Sequence, residues 1–128
     1  MARIIYVEDD SLIGDIVQKI LSDAGHLVGV ITHGTLAFDT IAFKKPELVI
    51  LDRALPGMQG LDILRALRRL PQLYLTPVLM LSATGGDAAV EEAMGAGAND
   101  YLVKPFTPEA LVDRVDQVLR QNSFRNLN

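Results

Sequence analysis

The chain has 128 residues, with 12 Lys and Arg against 16 Asp and Glu, a net charge of −4, and 49% hydrophobic but 5% aromatic side chains. That length suits one domain with its own core, and the acidic balance offers no positive footprint for nucleic acid or an anionic membrane. The absence of cysteine excludes disulfides, thiolate catalysis and Cys-based metal sites. No apolar run approaches the ~20 residues of a membrane span, and Met1-Ala2-Arg3 lacks a signal-peptide core. A cytoplasmic domain is expected.

Ile4-Ile5-Tyr6-Val7 predicts a short buried strand that ends in Glu8-Asp9-Asp10-Ser11. Leu12, Ile13, Ile16, Val17, Ile20 and Leu21 then recur at helical spacing, with Gly25 as the stop. Asp10 or Ser11 can cap that helix, but three acids in a row exceed what capping requires and suit a cation. Leu27 to Ile31 reads as a second strand, weakened by Gly29 and suited to a sheet edge. Past Thr32-His33-Gly34, a helix is expected to turn Leu36, Ala37, Phe38, Ile41 and Ala42 inward until Lys44-Lys45-Pro46 ends it.

Leu48-Val49-Ile50-Leu51 is a continuous apolar run, the mark of a strand buried on both faces. It stops at Asp52, and a Pro56-Gly57 turn follows. Gly60 leads into a helix with Leu61, Leu64 and Leu67 inside and Arg65, Arg68 and Arg69 on a solvated face. Pro77 to Leu81 forms a fourth strand, running into Ser82-Ala83-Thr84-Gly85-Gly86, with Asp87 as cap of an alanine-rich helix. That helix carries Val90, Ala93 and Met94, breaks at Gly95-Ala96-Gly97, and should be short and comparatively mobile. Asp100 to Val103 is the fifth strand, ending in Lys104-Pro105-Phe106. A last helix from Pro108 faces Leu111, Val112, Val115, Val118 and Leu119 inward. Residues 1–121 form one domain, and 122–128 a polar tail.

Alternating strands and helices predict an α/β fold with a doubly wound, five-stranded parallel sheet. Parallel strands joined by right-handed crossovers all end at one rim. Glu8, Asp9, Asp52, Ser82 and Lys104 therefore share that rim. With strand order 2-1-3-4-5, three carboxylates meet at the crevice where the order reverses. Crowded carboxylates resist ionising together without a cation, and a hard ion such as Mg²⁺ answers this while leaving room for a phosphoryl oxygen. Asp52 is then placed to form an acyl phosphate, with Lys104 and the Ser82 hydroxyl facing the transferred group.

Val7-Glu8-Asp9-Asp10, Leu51-Asp52-x-x-Leu55-Pro56-Gly57-Met58-x-Gly60, Leu81-Ser82-Ala83 and Tyr101-Leu102-Val103-Lys104-Pro105-Phe106 resemble, in order and spacing, the motifs of the receiver domain of two-component response regulators. The resemblance covers Arg3 to about Arg120 and implies the flavodoxin-like, three-layer α/β/α receiver fold. It implies Mg²⁺-dependent phosphorylation of Asp52 by a histidine kinase or phosphotransfer protein. Metal ligation would fall to Glu8, Asp9, Asp52 and the backbone carbonyl of Ala54. Ser82 and Tyr101 match a switch pair that remodels the face formed by the fourth helix, fifth strand and fifth helix, which could also support a phosphorylation-dependent homodimer. The Lys104-Pro105 bond matches one usually cis. Ala54 and Thr84 stand where amide or acidic side chains help orient the hydrolytic water, so slow self-dephosphorylation is expected.

A haloacid-dehalogenase-like phosphohydrolase would share the strand-ending Asp nucleophile but needs a second acid two residues on, where this chain has Ala54. A receiver that binds partners without phosphate would not need the acids, hydroxyl and lysine together. Gly85-Gly86-Asp87 falls in a loop of this domain rather than in a cyclase motif. The signal would pass to a downstream protein or to an output domain outside this sequence, with no direct nucleic-acid or membrane contact.

Overall fold

The computed structural model describes residues 1–122. Five strands alternate with five helices: β1 (Arg3–Val7), α1 (Ser11–Asp23), β2 (Leu27–Ile31), α2 (Gly34–Lys44), β3 (Leu48–Asp52), α3 (Gly60–Arg69), β4 (Val78–Ser82), α4 (Asp87–Gly95), β5 (Asp100–Val103) and α5 (Pro108–Asn122). All strand pairs are parallel, in the order β2-β1-β3-β4-β5. This is the topology expected from the alternation of buried runs and amphipathic segments. Among the described residues no helix is long and apolar enough to cross a membrane.

β3 and β4 are buried at every position, because helices cover both faces of the central sheet. β2 lies at the edge, where its residues are exposed or half-buried. Alternate strand residues point to opposite faces, and this parity builds two cores. Ile4, Tyr6, Leu48, Ile50, Leu79, Leu81 and Leu102 pack with Val17 and Leu21 of α1 and Leu111, Val115 and Val118 of α5. Ile5, Val7, Val49, Leu51, Val78, Met80 and Tyr101 pack with residues of α2, α3 and α4. Each fully buried aliphatic side chain contributes roughly 1.5–3 kcal/mol relative to exposure.

Several local expectations are corrected. Leu12 and Ile16 of α1 and Leu36 of α2 are exposed, so the buried stripes narrow to Gly14, Val17 and Leu21, and to Gly34, Ala37 and Ile41. Asp10 does cap α1, its carboxylate accepting from the Leu12 and Ile13 amides at 3.0 and 3.2 Å. Asp87 does not cap α4. Gly86 occupies that position with φ 99°, which a side chain rarely adopts, and Asp87 becomes the first helical residue.

Arg68 leaves the solvated face assigned to it and folds back onto the loops that precede β4 and β5. It donates to the carbonyls of Thr76 and Gly97 at 2.7 and 2.9 Å and to Asn99 Oδ1 at 3.1 Å. Asn122, expected to open the tail, ends α5 instead. It is buried, donating to the Val118 carbonyl at 2.7 Å and accepting from Asn99 at 3.3 Å. The remainder of the expected tail lies outside the described residues.

Candidate functional site

Strand parity decides which rim residues meet. Ile4, Tyr6 and Glu8 share one parity on β1 and its extension; Leu48, Ile50 and Asp52 share it on β3; Leu102 and Lys104 continue it from β5. Parallel pairing of β1 with β3 brings the two acids side by side. Glu8 and Asp52 are buried, Asp9 is exposed, and one carboxylate oxygen from each lies within 4.8 Å of the others. Lys104 reaches across from the end of β5, with Nζ 2.6 Å from Glu8 Oε1 and 3.1 Å from Asp52 Oδ2. Its peptide bond to Pro105 is cis, and its own amide donates to the Ser82 carbonyl at 2.8 Å, fastening the two strand ends. Ala54, two residues past Asp52, points its amide at Asp52 Oδ1 from 3.4 Å.

The electrostatics follow from two buried carboxylates sharing one ammonium. Burial pushes Asp52 up, and the adjoining Glu8 adds to this more than Lys104 offsets, so its pKa rises from 3.8 to about 6. Burial also works against ionised Glu8, but hydrogen bonds with Asp52, Lys104 and Tyr6 outweigh it and hold its pKa near 2. Lys104 is desolvated as well, yet its contacts with Glu8 and Asp52 raise its pKa above the ordinary value. One ammonium against three acids leaves an excess of negative charge on oxygen donors. That donor set fits a hard divalent cation and is typical of a Mg²⁺ site.

A pH dependence follows. Folded Asp52 keeps its proton to about pH 6, whereas the unfolded side chain releases it near 3.8. The folded state therefore binds more protons between those values, and stability falls as pH rises through that window. Glu8 acts oppositely, its contribution being present above 4.5 and lost as pH falls toward about 2. Metal-free Asp52→Asn is expected to exceed the unaltered protein in stability at pH 7 by about 1–2 kcal/mol once solvent screening is allowed for. The difference should shrink toward pH 4. Urea unfolding at the two pH values checks this, and equal midpoints at pH 7 would contradict it.

Ser82 and Tyr101 belong to the opposite parity and face α4. Ser82 is buried, and its Oγ accepts from the Thr84 amide at 3.0 Å. Tyr101 is turned into the core, and its hydroxyl donates to the Thr84 carbonyl at 2.5 Å. Both side chains thus hold the same residue of the loop between β4 and α4.

Two participants escaped the sequence reading. Arg53, directly after Asp52, donates to the Ala89 carbonyl at 3.2 Å and pairs with Glu92, tying the β3–α3 loop to α4. Tyr6, read as plain strand, donates its hydroxyl to Glu8 Oε1 at 2.7 Å. Its signal was present in the two-residue spacing, which sets both side chains on one face of β1. Arg53 had no comparable signal, since its partners lie 36 and 39 residues away.

A family model described as the response regulator receiver domain matches residues 4–116. The chain is 38% identical over 120 residues to the DNA-binding response regulator MtrA of Mycobacterium tuberculosis (strain ATCC 25618 / H37Rv), covering 94% of this chain and 51% of that protein. It is 34% identical over 121 residues to the phosphate regulon transcriptional regulatory protein PhoB of Rhizobium meliloti (strain 1021), covering 94% and 53%. The chain thus spans about half the length of the curated relatives it matches. Among solved structures, the chemotaxis response regulator CheY4 of Vibrio cholerae superposes with a TM-score of 0.87 at 32% identity, covering 92% of this chain and 98% of that one. The BeF3-activated N-terminal receiver domain of Klebsiella pneumoniae RstA gives 0.84 at 33% identity, covering 92% and 98%.

Proposed function

Because the chain belongs to the response regulator receiver domain family, the phosphoacceptor signalling modules that partner histidine kinases, we propose that Asp52 is its phosphoacceptor. The observation that carries this reading is the single Lys104 ammonium bridging buried Glu8 and Asp52 at the sheet's switch point, with Asp9 beside them. Glu8, Asp9, Asp52 and the Ala54 carbonyl would hold Mg²⁺. Such an ion would supply the positive charge to offset that on the transferring phosphoryl oxygens and between the acids.

The chain's own residues account for the rest. With a pKa near 6, Asp52 is mostly ionised at neutral pH. A carboxylate oxygen attacks phosphorus in line, the bond to the donor's leaving group breaks, and that group departs with the electron pair. Lys104 moves its Nζ hydrogen bond from Asp52 to a phosphoryl oxygen, and the Ser82 hydroxyl turns from the Thr84 amide to donate to another. Ser82 and Tyr101 both hold Thr84, so that turn alters the loop feeding α4. Arg53 supplies a second link to the same helix. The α4–β5–α5 face is accordingly the surface that changes for a downstream partner, by a shift between two populated conformers.

The phosphodonor must reach Asp52 from outside the rim. An apolar groove of about 490 Å³, lined by Ile13, Ile16, Ile20, Pro105 and Phe106, opens beside Lys104. It accounts for the exposure of Ile16, and it suits an amphipathic helix of the phosphodonor protein.

Peptide mapping tests the assignment. After reaction with acetyl phosphate and Mg²⁺, borohydride reduces an aspartyl phosphate to homoserine, which is expected at position 52. Homoserine at position 9 or 10 would overturn it. Ala54 and Thr84 offer no carboxylate or carboxamide to orient a hydrolytic water, so the phosphoryl group should be long-lived in the purified protein. Ala54→Asn should speed its loss severalfold, and an unaltered lifetime of seconds would contradict this.

A further inference from the structure

We propose that Tyr6 is a positioning residue for the metal site, selecting which oxygen of Glu8 faces the cation. This rests on the reading of Glu8, Asp9 and Asp52 as the Mg²⁺ site. Tyr6 is fully buried in the α1–α5 core. Its hydroxyl donates to Glu8 Oε1 at 2.7 Å, and Lys104 Nζ donates to the same oxygen at 2.6 Å. A carboxylate oxygen has two lone-pair directions, so Oε1 is committed. Oε2 accepts the Asp10 amide from 3.4 Å, a long contact, and is the oxygen left for a cation.

The phenol also answers a problem that glutamate brings to this position. Its side chain has one more rotatable bond than aspartate and must give up that freedom to point its carboxylate usefully. The Tyr6 ring is immobilised by the core, so its hydroxyl is a fixed donor that removes the extra freedom before the cation arrives. An aspartate at position 8 would fall short of the hydroxyl by about 1.5 Å, one carbon–carbon bond. Tyr6 and Glu8 thus act as a matched pair.

The test is a double-mutant cycle on Mg²⁺ affinity, read by isothermal titration calorimetry, in the unaltered protein, Tyr6→Phe, Glu8→Asp and the double variant. Tyr6→Phe is expected to weaken Mg²⁺ binding roughly tenfold, as loss of an outer partner of a metal ligand does. The same loss should appear as a roughly tenfold rise in the Mg²⁺ concentration that gives half-maximal phosphorylation. With aspartate at position 8, removing the hydroxyl should change affinity less than twofold. Unchanged Mg²⁺ affinity in Tyr6→Phe, or an equal loss in both backgrounds, would overturn the pairing while leaving the metal site standing. No Mg²⁺ binding by the unaltered protein would overturn the metal site and this inference with it.

Discussion

Gly60→Ala is expected to cost about 3 kcal/mol or more of stability and to impair phosphoryl uptake by the molecules that still fold. Alanine is the better helix former by about 1 kcal/mol, so propensity alone would predict a gain. Packing reverses the sign. A Cβ at position 60 would lie 2.1 Å from the carbonyl oxygen of Asp52 and 3.0 Å from Arg53 Cα. Both are backbone atoms, so no side-chain rotation relieves the contact. The α3 N-terminus is docked on this spot, its Gly60 amide donating to the Arg53 carbonyl at 3.0 Å. The residue displaced would be Asp52 itself. Gly34→Ala is the comparator, since its Cβ would lie 2.0 Å from the Met58 carbonyl oxygen, on the other side of the same loop. Denaturant midpoints check the stability loss. A Gly60→Ala midpoint equal to that of the unaltered protein would contradict the packing described.

Lys104→Met should reduce the rate of phosphoryl uptake roughly 10²-fold, the usual effect of deleting one donor to a charged transition state. Methionine keeps much of the stem's length and apolar character but removes the ammonium that bridges Glu8 Oε1 and Asp52 Oδ2. Without it, Asp52 loses the partner that opposes its upward shift, and its pKa moves beyond the present value of about 6. The developing phosphoryl charge then meets no cationic donor from the end of β5. Lys104→Arg is not expected to restore the rate, because a planar fork does not reproduce a compact ammonium between two carboxylates. Initial rates with acetyl phosphate at saturating Mg²⁺ measure the effect. A methionine variant within twofold of the unaltered rate would contradict the role of Lys104.

The sheet was legible because β3 and β4 are continuous apolar runs, and a strand buried on both faces leaves few alternatives. The rim was legible for a geometric reason: parallel strands all end on one side, so each run's terminal residue reports the same edge. Helix faces were less so. Leu12, Ile16 and Leu36 fit helical periodicity, but a wide apolar stripe does not say where burial stops and a docking surface begins. Arg68 read as solvated because its acceptors, the Thr76 and Gly97 carbonyls and Asn99, are scattered along the chain and meet only in the folded state. Arg53 was missed for the same reason. Tyr6 differs, since its distance from Glu8 along one strand is readable without a structure, given the rule that alternate residues share a face.

Phosphoryl transfer to Asp52, helped by the acids and lysine around it, is the proposal on which the others depend. Intact mass after incubation with acetyl phosphate, with and without Mg²⁺, measures this most directly, with Asp52→Asn alongside. A gain of one phosphoryl group that requires both Mg²⁺ and Asp52 is expected. An equal gain in Asp52→Asn, or in the unaltered protein with all divalent cations chelated, would contradict it.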